Sequence, residues 1–219
     1  MIADRRLQIA DFWLRLLGLV FIIVGYFGSW VPHETAALTV TGFELAEFAK
    51  LLPQVQGGVV PVTRELFLAP LIAAAILLGF LAQPANQPTN KLLILAAILL
   101  ALAALPPYQF FLAPQYRRQL ILATGGLLLV LLTSLARRLP RRARGVLIVL
   151  LALAGAVPAL WQFALLHPLV VALYNEPLGL GWGLDTCTAG FALLLVSGVL
   201  NIAINGQRSA AGQSPTAHR

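Results

Sequence analysis

Apolar and polar positions divide the chain into six long apolar runs, at about 12–31, 66–83, 91–107, 117–136, 145–166 and 185–204, separated by polar gaps. None alternates with a period of two, so none reads as a barrel strand; each predicts a helix. Crossing a hydrocarbon core about 30 Å thick takes roughly 20 helical residues, because in lipid only a helix or a closed barrel satisfies its own backbone hydrogen bonds. The pattern predicts an all-α integral membrane protein with six transmembrane helices in one domain over residues 1–206. The third run is the weakest. Its apolar stretch from Leu92 to Leu105 meets Pro106-Pro107, so the helix either continues kinked through Tyr108-Gln109-Phe110-Phe111 or stops at the interface.

The segment before the first run has its own period. Arg5, Gln8, Asp11 and Arg15 recur at spacings of three and four as a polar stripe, opposed by Ile2, Leu7, Ile9, Phe12, Trp13 and Leu16. This composition predicts an N-terminal interfacial helix lying on the inner leaflet before the chain turns into the membrane, with a gating or coupling helix as the alternative. Asp11 and Arg15, four apart, can pair. Arg5 and Arg6 before an apolar core resemble a secretory signal, but that core is as long as a full span, which favours a retained helix. The tail 207–219, rich in Ser, Ala and Gly, reads as disordered.

Two loops carry further signals. Between the first two spans, Thr41 and Glu44 match a capping box and Pro53 closes the run, which predicts a short amphipathic helix in the first outer loop, with a small hairpin at Val55-Gln56-Gly57-Gly58-Val59-Val60. Such a loop is a lid over the bundle, a partner surface, or a segment packed on the outer headgroups. The stretch 168–184 is too apolar for a free loop and is expected to lie in the outer interface or to dip in and return, with Tyr174 and Trp182 as belt residues. Its glycines at 179, 181 and 183 follow no strand and lack the GxGxxG spacing, so they are not a nucleotide loop.

Composition fits the same class: 59% hydrophobic and 11% charged residues, with mean hydropathy +0.86, against about 25% charge in soluble domains. Charge then orients the chain. Arg5, Arg6, Arg15, Lys91, Arg137, Arg138, Arg141, Arg142, Arg144, Arg208 and Arg219 fall on one side of the six-span pattern, and only Lys50, Arg64, Arg117 and Arg118 on the other. Cytoplasmic segments are the basic ones, so both termini are predicted cytoplasmic. The formal net charge of +7 is expected to anchor anionic inner-leaflet lipid rather than nucleic acid. The cluster Arg137, Arg138, Arg141, Arg142 and Arg144 is a topological anchor or a docking patch for a cytoplasmic partner. Compactness, scarce cysteine and the preference for Arg over Lys point to the plasma membrane of a bacterium.

Chemistry is sparse. Cys187 is the only cysteine, which excludes an internal disulfide and suits a small packing role. His33-Glu34-Thr35-Ala36-Ala37 begins like a zinc-peptidase helix, but Ala37 stands where the second ligand must be. His33, Glu34 and His167 remain weak outer-face metal candidates, within a loose constellation that includes Glu44, Glu47, Glu65, Glu176 and Asp185. No cofactor is predicted. Inside the runs the polar groups are Thr124, Thr133, Ser134, Gln162, Ser197 and Asn201, with Asn205 at the inner end; without ionisable groups at depth, a proton-driven pump is disfavoured. Cys187, Gly190, Leu194, Ser197, Asn201 and Asn205 form one stripe down the sixth run, read as close helix packing or, with Gln162, as a solute path. Pro158 should kink the fifth run. The repeated Phe-Leu-Ala-Pro at 67–70 and 111–114 is compositional.

The leading expectation for function is a non-catalytic accessory or scaffold subunit meeting other membrane subunits. A small permease or lipid-handling protein for a neutral solute comes second, and an outer-face metal-dependent enzyme third.

Overall fold

A computed structural model describes residues 2–33, 39–82, 88–111 and 113–211; of 2–8, 136–138, 141 and 204–211 it describes the backbone alone. The chain is helical. In order it forms α1 (Ile2–Phe27), β1 (Ser29–Val31), β2 (Val40–Thr41), α2 (Leu45–Phe48), α3 (Pro53–Gln56), α4 (Ala69–Leu81), α5 (Pro88–Ala103), α6 (Arg117–Leu132), α7 (Arg141–Tyr174) and α8 (Trp182–Ala211), with short 3-10 segments between some of them. Among the described residues five helical segments are long and apolar enough to cross a membrane: Ile9–Phe27, Arg64–Leu81, Pro114–Leu135, Arg142–Tyr174 and Trp182–Ala203. The third predicted span, α5, has 16 residues, about 24 Å of helix, and ends before Pro106 rather than at 107.

α4 occupies the centre. Its sequence is apolar on every face, and a helix of that kind belongs in the interior; ten of its 13 residues are buried, against α1, α5, α6 and α7. Gly126 of α6 faces Ile72, and Gly79 of α4 faces Thr133, so α4 and α6 run parallel. The chain must therefore return the full depth of the bundle between them. α5 and the turns after it make that return, ending where Gln119 Nε2 donates to the Ala104 carbonyl at 3.1 Å.

α1 and α8 form the most extensive helix pair. They are antiparallel: Gly18 meets Gly190, Gly25 meets Gly183 and Cys187, and Asp11 meets Ser197 and Asn201. α1 runs unbroken from Ile2, so the N-terminal segment continues the first span rather than forming a separate interfacial helix. Part of its polar stripe faces α8, which removes the reason for it to turn away. The helix stops at Phe27, where residues 29–31, expected to close the span, instead pair with β2 in the register Ser29 to Thr41 and Val31 to Val40.

α7 corrects the sequence reading most. Its 34 residues measure about 51 Å, well beyond a hydrocarbon core, and the helix passes through Pro158 and Pro168 to end at Asn175, whose φ of 53° is a left-handed cap. Residues 168–174 are thus helix, neither re-entrant nor interfacial coil. Each proline removes one backbone donor, but Phe163, Leu166 and Val170 are buried in the core on either side of Pro168, and that packing holds the helix together. At the other end α8 continues to Ala211, so the tail read as disordered from 207 starts inside a helix; 212–219 lie outside the described residues.

The loop between α1 and α4, predicted to be outer, folds onto the bundle. The capping box forms, with Thr41 N–H donating to Glu44 Oε2 at 2.9 Å and Glu44 N–H to Thr41 Oγ1 at 3.3 Å. The helix it starts is short, however, and gives way to a 3-10 turn at Ala49–Leu51. Pro53 opens α3 instead of ending a helix, as proline favours a first helical turn. The hairpin expected at 55–60 is absent: Val55 and Gln56 lie in α3, and Gly58, at φ 70°, makes the turn that follows. Leu45, Ala46, Ala49 and Leu52 are buried in the same core as Phe67, Phe163 and Leu166.

Candidate functional site

At the end of the bundle where α1 begins, four side chains close a network. Ser197 Oγ donates to Asp11 Oδ1 at 2.6 Å and accepts from Arg15 Nε at 2.9 Å. Asn201 Nδ2 donates to the same Asp11 oxygen at 2.8 Å, and Asp11 also pairs with Arg15 along α1, as their spacing predicts. One carboxylate therefore gathers three donor residues. Arg144, on α7, lies close enough to repel Arg15, and its Nε is buried without a hydrogen-bond partner among the described residues. Gly145 brings α7 against Gly198 and Asn201, which sets Arg144 at this level. The predicted stripe is thus the α1 contact: Cys187, Leu194 and Ser197 are buried, and a Cβ on Gly190 would stand 2.6 Å from the Gly18 carbonyl oxygen. Asn205 continues the backbone of the stripe, but its side chain lies outside the described part.

Gln162 does not join this network. It is buried on α7, and its Oε1 accepts the Thr63 N–H at 2.8 Å, which caps the turn leading into α4. Gly145 and Val149 pack at the level of Gly198; Gln162 lies 13 residues beyond Val149, about 20 Å along the helix. Thr133 and Thr124 bond back to carbonyls of their own helix, at Val130 and Leu120. Of the polar groups read as a solute path, Ser197 and Asn201 therefore lie at one end of the bundle and Gln162 towards the other, each engaged locally.

At the Gln162 end a second cluster surrounds Tyr116. Lys50 Nζ donates to Tyr116 Oη at 2.7 Å and pairs with Glu47. The Lys50 ammonium and the Arg64 guanidinium sit 4.2 and 4.6 Å from the Tyr116 ring centroid, attracted by the electron-rich face of the ring. Arg64 also pairs with Glu65 at 3.2 Å and Glu47 at 3.6 Å, and reaches the Gln115 carbonyl. Two cations and two carboxylates balance, and together they fasten the outer loop to the start of α6. Sequence reading counted Lys50 and Arg64 only as outer basic residues; the signals available were Glu47 three before Lys50 and the adjacent Arg64-Glu65.

The metal candidates do not converge. His33 Nε2 lies 3.6 Å from Glu176 Oε2 and its ring contacts Tyr174, beside a cleft of about 390 Å³ formed with Pro32 and residues 177–179. His167 instead packs on Phe163, with its Nε2 buried and without a hydrogen-bond partner among the described residues. Glu34 lies outside the described residues. Among the described residues no three His, Cys, Asp or Glu side chains could share a metal ion.

Of the arginine cluster, Arg137 and Arg138 end a 3-10 turn and Arg141 opens α7; their side chains lie outside the described part. Arg142 is exposed and Arg144 half-buried. The arrangement as a whole fastens helices and loop to one another. Comparison with protein-family models, curated proteins and solved structures finds no match to this chain.

Proposed function

We propose that the chain is a non-catalytic, multi-pass membrane protein acting as an accessory or scaffold subunit of a membrane complex. In this reading it has six crossings, α5 with its following turns making the third, and both termini lie in the bacterial cytoplasm. The observation that carries it is how the polar side chains are used. Asp11, Arg15, Ser197 and Asn201 tie α1 to α8, Gln162 caps the approach to α4, and Lys50, Arg64 and Tyr116 hold the outer loop. A rigid frame results, and outside the spans it holds out large apolar or aromatic side chains among polar ones: Leu51, Val59 and Tyr108 are 71%, 76% and 79% exposed. Apolar side chains held out beyond the lipid are what a neighbouring subunit covers.

Purification in mild detergent, followed by identification of bound proteins, tests this. A defined partner should copurify, and Leu51→Asp with Val59→Asp should weaken its retention. Persistent isolation as a lone monomer would count against the proposal.

A further inference from the structure

An open groove of about 540 Å³ runs along the start of α7, lined among the described residues by Leu139, Pro140, Ala143, Val146 and Leu147, with Arg142 as a charged wall. It straddles the boundary where the basic gap 137–144 meets the apolar body of the helix, which begins as a candidate span at Arg142. A glycerophospholipid changes at that depth from phosphate to acyl chain. The walls change in the same order: the exposed guanidinium of Arg142 stands at the polar edge, and the aliphatic side chains of Val146 and Leu147 follow one turn deeper. Charge selects among lipids. The gap from 137 to 144 holds five arginines and no acidic residue, and among the described residues no carboxylate pairs with Arg142, so a headgroup with net negative charge is favoured over a zwitterionic one.

We propose that this groove is a binding site for one anionic phospholipid, its phosphate on Arg142 and an acyl chain along Ala143, Val146 and Leu147. Arginine suits the role, because its planar fork can hold two phosphate oxygens at once. The site needs the chain to be a membrane protein, and does not rest on the scaffold reading.

Native mass spectrometry of the intact protein, titrated with phosphatidylglycerol or phosphatidylcholine of identical chains, tests the proposal. The wild type should retain phosphatidylglycerol preferentially. Arg142→Gln should lower that preference about fivefold, the factor equivalent to about 1 kcal/mol for one basic residue at the surface. Val146→Trp, which fills the groove, should lower retention of both lipids, and Arg118→Gln, exposed at the other end of the bundle, should change neither. Equal retention of the two lipids by the wild type overturns the site. So does an Arg142→Gln variant that melts and binds like the wild type, or an equal loss in Arg118→Gln. A dimer abolished by Val146→Trp would assign the groove to a second copy instead and overturn it as well.

Discussion

Asp11 and Ser197, 186 residues apart in the chain, meet at 2.6 Å where the first and last long helices cross. The contact closes the bundle, since α1 and α8 enter and leave it on the same side. It also accounts for a carboxylate on a helix otherwise apolar beyond Asp11 except for Arg15: with three donor residues around it, the charge is compensated where it stands.

Asp11→Ala should therefore destabilise the protein in detergent by about 1–3 kcal/mol, because Arg15 and Ser197 lose their shared partner at once. Asp11→Asn, which keeps an acceptor oxygen, should cost less. Thermal unfolding of the single variants and of Asp11→Ala with Ser197→Ala checks the coupling; the pair should cost less than the sum of its parts.

Glycines separate packed from open helix surface. A Cβ on Gly25 would lie 2.3 Å from the Cys187 backbone nitrogen, a separation that only a shift of α1 against α8 can relieve. Gly25→Ala should cost about 1–3 kcal/mol or more. A Cβ on Gly125 of α6 would meet nothing within 4 Å, and Gly125→Ala should raise stability by about 0.5–1 kcal/mol through helix propensity. Melting temperatures of the two variants should move in opposite directions.

The α8 stripe was legible because small and amide residues recurring every three or four positions can only be one helix face, and close packing is the ordinary use of such a face. The Thr41-Glu44 cap was legible because its two hydrogen bonds are local. What misled was the partner of a polar stripe: periodicity assigns Asp11 and Arg15 to one side of α1, but water, headgroups and another helix all satisfy them equally in sequence. Pro168 likewise reads as a break when taken alone. Only the burial of Leu166 and Val170 in the core decides that the helix continues, with Asn175 before Glu176-Pro177 as the true stop signal. The Tyr116 cluster joins residues from three separate segments, and no local period encodes it.

Tyr116→Ala should release the outer loop while leaving the spans folded. It removes the hydroxyl from Lys50 and the ring from both cations, each cation and ring contact being worth about 0.5–1 kcal/mol. Hydrogen exchange over residues 45–56 should quicken, and the residues around Gly18 and Gly190 should be unaffected. Tyr116→Phe, which keeps the ring, should fall between the two.

Sidedness can be read with single cysteines, because Cys187 is the one native cysteine and is buried against α1, so Cys187→Ala supplies a silent background. In that background Val59→Cys and Tyr108→Cys should react with an impermeant maleimide on intact cells, and Arg142→Cys only after permeabilisation. Tyr108 decides the number of crossings. If it labels with Val59 while Arg142 stays protected, the chain has returned through α5; if Arg142 labels with Val59 while Tyr108 stays protected, α5 remains on the inner side and the protein crosses five times, since α6 separates the two positions. Reversal of all three would leave the helix count intact and invert the orientation, which would mean that the eleven basic residues on one side do not govern how this bundle is inserted.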